Sequence, residues 1–143
     1  VEYFIKEKIS GTKELVEISE FIHFGCTSED INNLAYGLML HHSRQECILP
    51  ALENIITQLK KFAHDHANLA MLSRTHGQSA TPTTVGKEIA NIVARLQRQI
   101  DGFAAIEILG KLNGATGSFN AFMAAYPDIN WRALTRDFVN SLG

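Results

Sequence analysis

Several groups of residues in this chain have types and spacings that could do chemistry. Thr27-Ser28-Glu29-Asp30 sets two hydroxyls ahead of two carboxylates. That pattern caps a helix start. The same helix end, with free N–H groups and hydroxyls, also suits a bound carboxylate or phosphate. Arg74-Thr75-His76-Gly77-Gln78 carries one histidine between a threonine and a glutamine. A histidine changes charge near neutral pH, so it can act as an acid or base with orienting partners. Gly114-Ala115-Thr116-Gly117 could bring backbone N–H groups to an anion, or could simply turn the chain. No Gly-Lys-Ser/Thr follows it, so it is not a P-loop. His23, two residues before Gly25, reads as a connector histidine. His64-x-His66 and the adjacent His41 and His42 fall on different helix faces. They read as solvated histidines, and no metal site is expected.

The elements that must position these groups are almost all helical. Residues 1–8 read as a helix remnant ended by Ser10-Gly11-Thr12, and a short helix follows at about 13–20. A long helix starts near 28 and carries Ile31, Leu34 and Leu38 along one side. Pro50 predicts a kink or break near Ile48–Pro50. Beyond it, Leu52, Ile55, Ile56, Leu59 and Phe62 repeat at helical spacing. Residues 69–82 are polar and show no period, so a loop is expected, with Thr81 capping and Pro82 opening the next helix. Val85, Ile89, Ile92, Leu96, Ile100, Phe103 and Ile106 step by 4, 3, 4, 4, 3 and 3, which is a bundle seam. A helix over 83–109 would be roughly 40 Å long. Two short helices are expected at about 119–125 and 130–142, separated by Pro127. The fold class is all-α: a bundle of long helices, to which loops deliver polar groups.

Composition agrees with a globular chain. Of 143 residues, 45% are apolar and 20% charged, which excludes a disordered acidic or basic tail. A net charge of −2 gives no electrostatic footing for nucleic acid. Cys26 and Cys47 do not form a C-x-x-C pair and read as free thiols. No run of 18 apolar residues and no secretory leader is visible, so no membrane partner is expected. The chain opens on Val1 in what reads as mid-helix, so it is expected to be a piece of a larger protein.

Taken in order, three segments carry a family resemblance. They are His23-Phe24-Gly25-Cys26-Thr27-Ser28-Glu29-Asp30-Ile31-Asn32-Asn33, then Arg74-Thr75-His76-Gly77-Gln78 running on to Gly86-Lys87-Glu88, then Asn113-Gly114-Ala115-x-Gly117. Together they resemble the adenylosuccinate lyases of bacterial type, within the fumarase/aspartase superfamily. The resemblance spans residues 1–143. It implies a partial lyase domain: the end of an N-terminal helical region and the first long helices of a central bundle. Ser79 departs from the proline that relatives often carry, which removes no functional group.

The resemblance implies β-elimination of fumarate from adenylosuccinate, giving AMP, and from the succinyl-carboxamide ribotide of purine synthesis. It implies no metal or organic cofactor. His76 matches the general acid that protonates the leaving nitrogen. Thr27 and Ser28 match the pair that binds a succinyl carboxylate. Thr75 matches a substrate contact, His23 a second active-site histidine, and Gln78 a substrate or histidine-orienting contact. The partner implied is a purine nucleotide, and the assembly a cytoplasmic homotetramer whose active sites are shared between subunits. Ser-Ser-x-Met-Pro-x-Lys, the loop that carries the base serine in such enzymes, does not occur in these 143 residues. The alternatives are another fumarate-forming lyase or cycloisomerase of the superfamily, or a non-catalytic helical interaction module. Since an acid without its base loses several orders of magnitude in rate, the 143-residue chain alone should release no fumarate from adenylosuccinate above a His76→Ala control. Release above that control would show that the base lies within the chain.

Overall fold

A computed structural model describes all 143 residues. α1 spans Glu2–Ile9 and α2 spans Lys13–Glu17, followed by a 3₁₀ turn at Ser19–Phe21. α3 runs over Ser28–Ser43, α4 over Leu49–Asp65 and α5 over Val85–Ala104. The short α6 and α7 cover Asn120–Ala125 and Trp131–Ser141. No helix is long and apolar enough to cross a membrane. The residues fall into two compact units. One comprises Val1–Met39 with Leu109–Gly143, and the other Leu40–Ile108.

In the Leu40–Ile108 unit, α4 and α5 pack on each other. Ile56, Val93 and Ile100 are buried, and Leu49, Leu52, Leu59, Ile89 and Leu96 pack around them. The packed stripe on α5 is therefore Ile89, Val93, Leu96 and Ile100, in steps of 4, 3 and 4. The expected seam had Ile92 in this row, but Ile92 is 50% exposed. Both positions satisfy the spacing from Ile89 to Leu96, so the sequence pattern leaves the choice to the partner helix. α4 meets the face that carries Val93.

The expected break before Pro50 takes the form of a π-helical turn at Arg44–Ile48. The helical run continues through this turn into α4, so Pro50 lies inside it, and the π turn gives room for a ring that cannot donate to the preceding carbonyls. A wider turn just upstream is a common way for a helical run to absorb a local irregularity. Arg44 in this turn is buried, and its Nη1 donates to the Ile106 carbonyl at 2.5 Å.

Residues 69–84 are not the structureless loop that polarity predicts. Two small antiparallel pairs form there: β1 (Ala70–Met71) with β4 (Thr83–Thr84), and β2 (Arg74–Thr75) with β3 (Gln78–Ser79). The Ala80 amide donates to Ser73 O at 2.9 Å and extends the inner pair. The chain is mostly helical, and this ribbon is the exception. It also moves the start of α5. Thr84, not Thr81, is the cap, with Oγ1 accepting the Lys87 amide at 3.2 Å. Thr81 and Pro82 belong to the approach instead. α5 has 20 residues, so it is about 30 Å long rather than 40.

The Val1–Met39 and Leu109–Gly143 unit is held by aromatic rings. Phe24 meets Phe122 edge-on at 5.9 Å, and Phe122 packs on Trp131 at 4.8 Å. Gly25, at φ 65°, lies so close to Phe122 that an added Cβ would stand 2.5 Å from the ring. The connector ahead of α3 is thus pressed onto α6.

Two glycines of α5 make opposite predictions. A Cβ at Gly86 would meet Ala63 O at 2.3 Å and Ala67 Cα at 2.6 Å, both backbone. Gly86→Ala should destabilise by about 1–3 kcal/mol, because backbone cannot yield as a side chain can. At Gly102 nothing lies within 4 Å. Gly102→Ala should stabilise by about 0.5–1 kcal/mol through helix propensity. Urea unfolding of the two variants checks both signs. A neutral Gly86→Ala would mean that α4 and α5 do not approach this closely.

Candidate active site

Thr27 and Ser28 stand at the start of α3, as the cap pattern predicts. The capping bond itself differs from expectation. It is the Thr27 amide that donates to Asp30 Oδ2, at 3.0 Å, so the acid three residues on closes the turn in place of a hydroxyl. This is the reciprocal half of a capping box. The amides of Ser28 and Glu29 belong to the first turn, which has no intrahelical acceptor to offer them. Ser28 is exposed and Thr27 half-buried. The helix end therefore sets an exposed Ser28 and a half-buried Thr27 beside first-turn amides that lack an intrahelical acceptor, a setting that suits an anion.

Asp30 is the residue that sequence reasoning passed over. Its side chain is 0% exposed. Oδ2 accepts the Thr27 amide and the Gly114 amide, at 3.0 and 2.9 Å. Oδ1 accepts Lys111 Nζ at 2.8 Å and the Asn113 amide at 3.2 Å. The Gly-rich loop does hold an anion with its backbone, as one of its two readings proposed, but the anion is the chain's own Asp30. Asn33, one turn along α3, completes the joint. Its Oδ1 accepts the Lys111 amide at 2.8 Å and its Nδ2 donates to Lys111 O at 3.0 Å. The local signal was present in the i, i+3 spacing of Asp30 and Asn33, which puts both on one face.

The electrostatics follow from these contacts. Burial is the largest single influence on the Asp30 carboxyl and opposes its ionisation. The Lys111 ammonium and the amides of Thr27, Asn113 and Gly114 together outweigh it, and hold the group below the usual aspartate range. Cys26 nearby is pushed the other way. Burial first, then the Asp30 charge, raise its thiol, so it stays protonated at neutral pH.

His23 lies in the connector at φ 63° and is exposed. Thr75, His76 and Gln78 are brought together on the β2–β3 hairpin, where Thr75 pairs with Gln78. His76 and Gly77 form its two-residue turn, with φ of 52° and 77°. Positive φ at both positions is the signature of a type I′ turn. Asn, Asp or Gly is the usual first residue of such a turn, and a histidine there takes up a sparsely populated conformation. His76 is exposed at the tip. Glu88, in the first turn of α5, reaches back to accept from Thr83 Oγ1 at 3.5 Å. His66, the C-cap of α4, is occupied by that helix, with its ring stacked 4.1 Å from Phe62 and Nδ1 2.9 Å from Phe62 O.

Comparison with known proteins gives these features a setting. A protein-family model described as "Lyase" matches residues 1–142. The adenylosuccinate lyase of Buchnera aphidicola subsp. Acyrthosiphon pisum (strain APS) is 55% identical over 143 residues, covering 100% of this chain and 31% of the relative. The adenylosuccinate lyases of Haemophilus influenzae and Escherichia coli K12 are 54% and 52% identical over the same shares. The chain thus spans under a third of the length of these relatives. Among solved structures, fumarate lyase from Mesorhizobium sp. BNC1 superposes with a TM-score of 0.73 at 25% identity, over 87% of this chain and 29% of that one. The 3-carboxy-cis,cis-muconate lactonizing enzyme from Pseudomonas putida gives 0.70 at 25% identity, over 86% and 28%.

The depressed Asp30 pKa carries a pH prediction with a definite sign. An unfolded aspartate binds its proton near pH 3.9, and the folded one only at lower pH. The stability contributed is full above the unfolded value and is lost as pH falls through the folded value. Wild type should therefore be more stable than Asp30→Asn at neutral pH, and the gap should narrow below about pH 4. Thermal unfolding across that range measures it. Parallel curves would mean that Asp30 is not a buried ionised group.

Proposed function

We propose, from the premise that this chain belongs to the lyase family, that it is part of an adenylosuccinate lyase. The reaction is elimination of fumarate from adenylosuccinate to leave AMP, and from the succinyl-carboxamide ribotide of purine synthesis. The observation that carries this reading is the 55% identity to a protein of that name, sustained over all 143 residues. The lactonizing enzyme shares the fold at 25% identity, which favours the lyase over the cycloisomerase alternative.

The residues of this chain supply two parts of that chemistry. A C–N bond β to a carboxylate breaks when a base removes the Cβ proton and charge builds on the carboxylate. Donors aimed at that charge lower the barrier. Thr27 and Ser28, at the exposed start of α3, are the proposed carboxylate site. Their hydroxyls and the first-turn amides offer several donors to one anion. His76 is the proposed acid that protonates the leaving nitrogen. Its place supports that role, since it is exposed at the tip of a two-residue turn with Thr75 and Gln78 paired directly behind it. Thr75 and Gln78 flank it as substrate contacts, and His23 is a further binding histidine. The base is assigned to a serine outside these residues. A purine nucleotide is the substrate, with no cofactor, no nucleic acid and no membrane partner. A cytoplasmic homotetramer with active sites shared between subunits is part of the same proposal.

His76→Gln in the full-length protein tests the assignment. Loss of a general acid costs about 10²–10⁴ in rate. kcat should fall by that order while KM moves far less, because the lost interaction is made in the transition state. Steady-state fumarate formation across pH is the measurement. A variant that keeps near-full kcat and both limbs of the pH profile would remove His76 from the mechanism.

A further inference from the structure

The buried carboxylate of Asp30 is four contacts deep, and none of them is to solvent. Two amides hold Oδ2, and an ammonium and a third amide hold Oδ1. A carboxylate has about four lone-pair sites. Asp30 therefore has none left for a ligand, and it can act on a ligand only through the groups it holds. Those groups are the residue that opens α3 and the turn of the Gly-rich loop. Thr27 is tied through its own amide, so the backbone that carries Thr27 and Ser28 is placed by where Asp30 is anchored. The anchor is Lys111, Asn113 and Gly114, which lie 81–84 residues away along the chain.

The charge matters as much as the geometry. An ionised aspartate at a helix end that receives a carboxylate would repel it at short range, most strongly where water is excluded. Lys111 Nζ lies 2.8 Å from Asp30 Oδ1 and offsets that charge. Its side chain is 38% exposed, so Lys111 lies at the edge of the joint while Asp30 is fully inside it.

We propose that Asp30, neutralised by Lys111, is a positioning residue for the substrate carboxylate: it clamps the Thr27–Ser28 helix end to the Asn113–Gly114 turn and keeps that end receptive to an anion. The proposal rests on the carboxylate site assigned above to Thr27 and Ser28. Asp30→Asn sets an amide against two donors on one side and loosens the clamp. Lys111→Met leaves the clamp's amides but strands a buried charge beside the anion site. Lys111→Arg keeps the charge.

The experiment is product inhibition of the full-length protein. Fumarate carries the carboxylates and AMP carries none. Asp30→Asn and Lys111→Met should each raise the inhibition constant of fumarate by about tenfold, the loss of one hydrogen bond to a charged group. The constant for AMP should stay at the wild-type value, and Lys111→Arg should recover most of the fumarate affinity. General loosening of the fold would move both inhibitors together, and that result overturns the proposal. Unchanged fumarate inhibition in both variants overturns it as well. Should Asp30→Asn fail to fold, the Lys111 pair decides by the same criteria. A wild-type protein that forms no fumarate from adenylosuccinate refutes the lyase reading, and the proposal with it. Wild-type activity with unmoved fumarate inhibition refutes the proposal alone.

Discussion

One buried negative charge organises the unit formed by Val1–Met39 and Leu109–Gly143. Taking a carboxylate out of water costs several kcal/mol even after relaxation, and the cost is recovered only with full pairing. Asp30 is paired in full: three backbone amides and one ammonium. Those donors come from two stretches that are far apart in sequence. Because the charge tolerates no missing donor, the start of α3 and the Gly-rich turn must meet in one arrangement. Apolar contacts in this unit could slide by a few tenths of an ångström, but a buried ion with four donors could not. The glycines fit the same constraint. Gly114, at φ 79°, turns its amide toward the carboxylate, and Gly25 lets the connector close onto Phe122.

The Leu40–Ile108 unit presents its polar group by a different device. His76 has no buried partner to hold it. It is held by its backbone, at the tip of a hairpin whose two-residue turn forces positive φ. The hairpin stands within the outer pair β1–β4, which ends directly in the Thr84 cap of α5. The position of His76 is thus referred back to α5, and through Val93 and Ile100 to the packed face of α4. A ribbon this short would not persist alone. Its stability is borrowed from the helix pair at its base.

What could be read from the residues divides along the same line. α4 and α5 were legible, because apolar side chains at 3- and 4-residue steps leave few other options. The start of α3 was legible from Thr27-Ser28-Glu29-Asp30. Ile92 against Val93 was not, because both fit the spacing and only the facing helix selects. The ribbon was hidden for two reasons. Its strands are two residues long, too short for alternation to show, and His76-Gly77 lacks the asparagine or aspartate that marks a type I′ turn. Thr75, His76 and Gln78 were legible as one candidate group through a family resemblance, yet their geometry was not. Asp30 was read as an ordinary first-turn acid, which it also is. Its partners at Lys111, Asn113 and Gly114 leave no local trace, since no periodic pattern connects residues more than 80 positions apart.

The scaffold and the chemistry therefore place different demands on the sequence. Chains at 25% identity, one of them a lactonizing enzyme, keep the helical arrangement, because burying a stripe of apolar residues asks only for size and spacing. A capped helix end, a filled carboxylate and a histidine at positive φ ask for particular residues. Replacing Asp30 by any other side chain changes the charge, the reach or the number of lone pairs, and each change breaks a contact. Replacing Leu59 by methionine would break none of comparable cost. Residues whose exchange is expensive for reasons other than packing are where function is to be sought in such a chain. By that criterion Asp30 and His76 stand out from opposite directions. One is costly because it is charged and buried, the other because it holds, as His23 and Phe119 also do, a positive φ that few side chains take without cost.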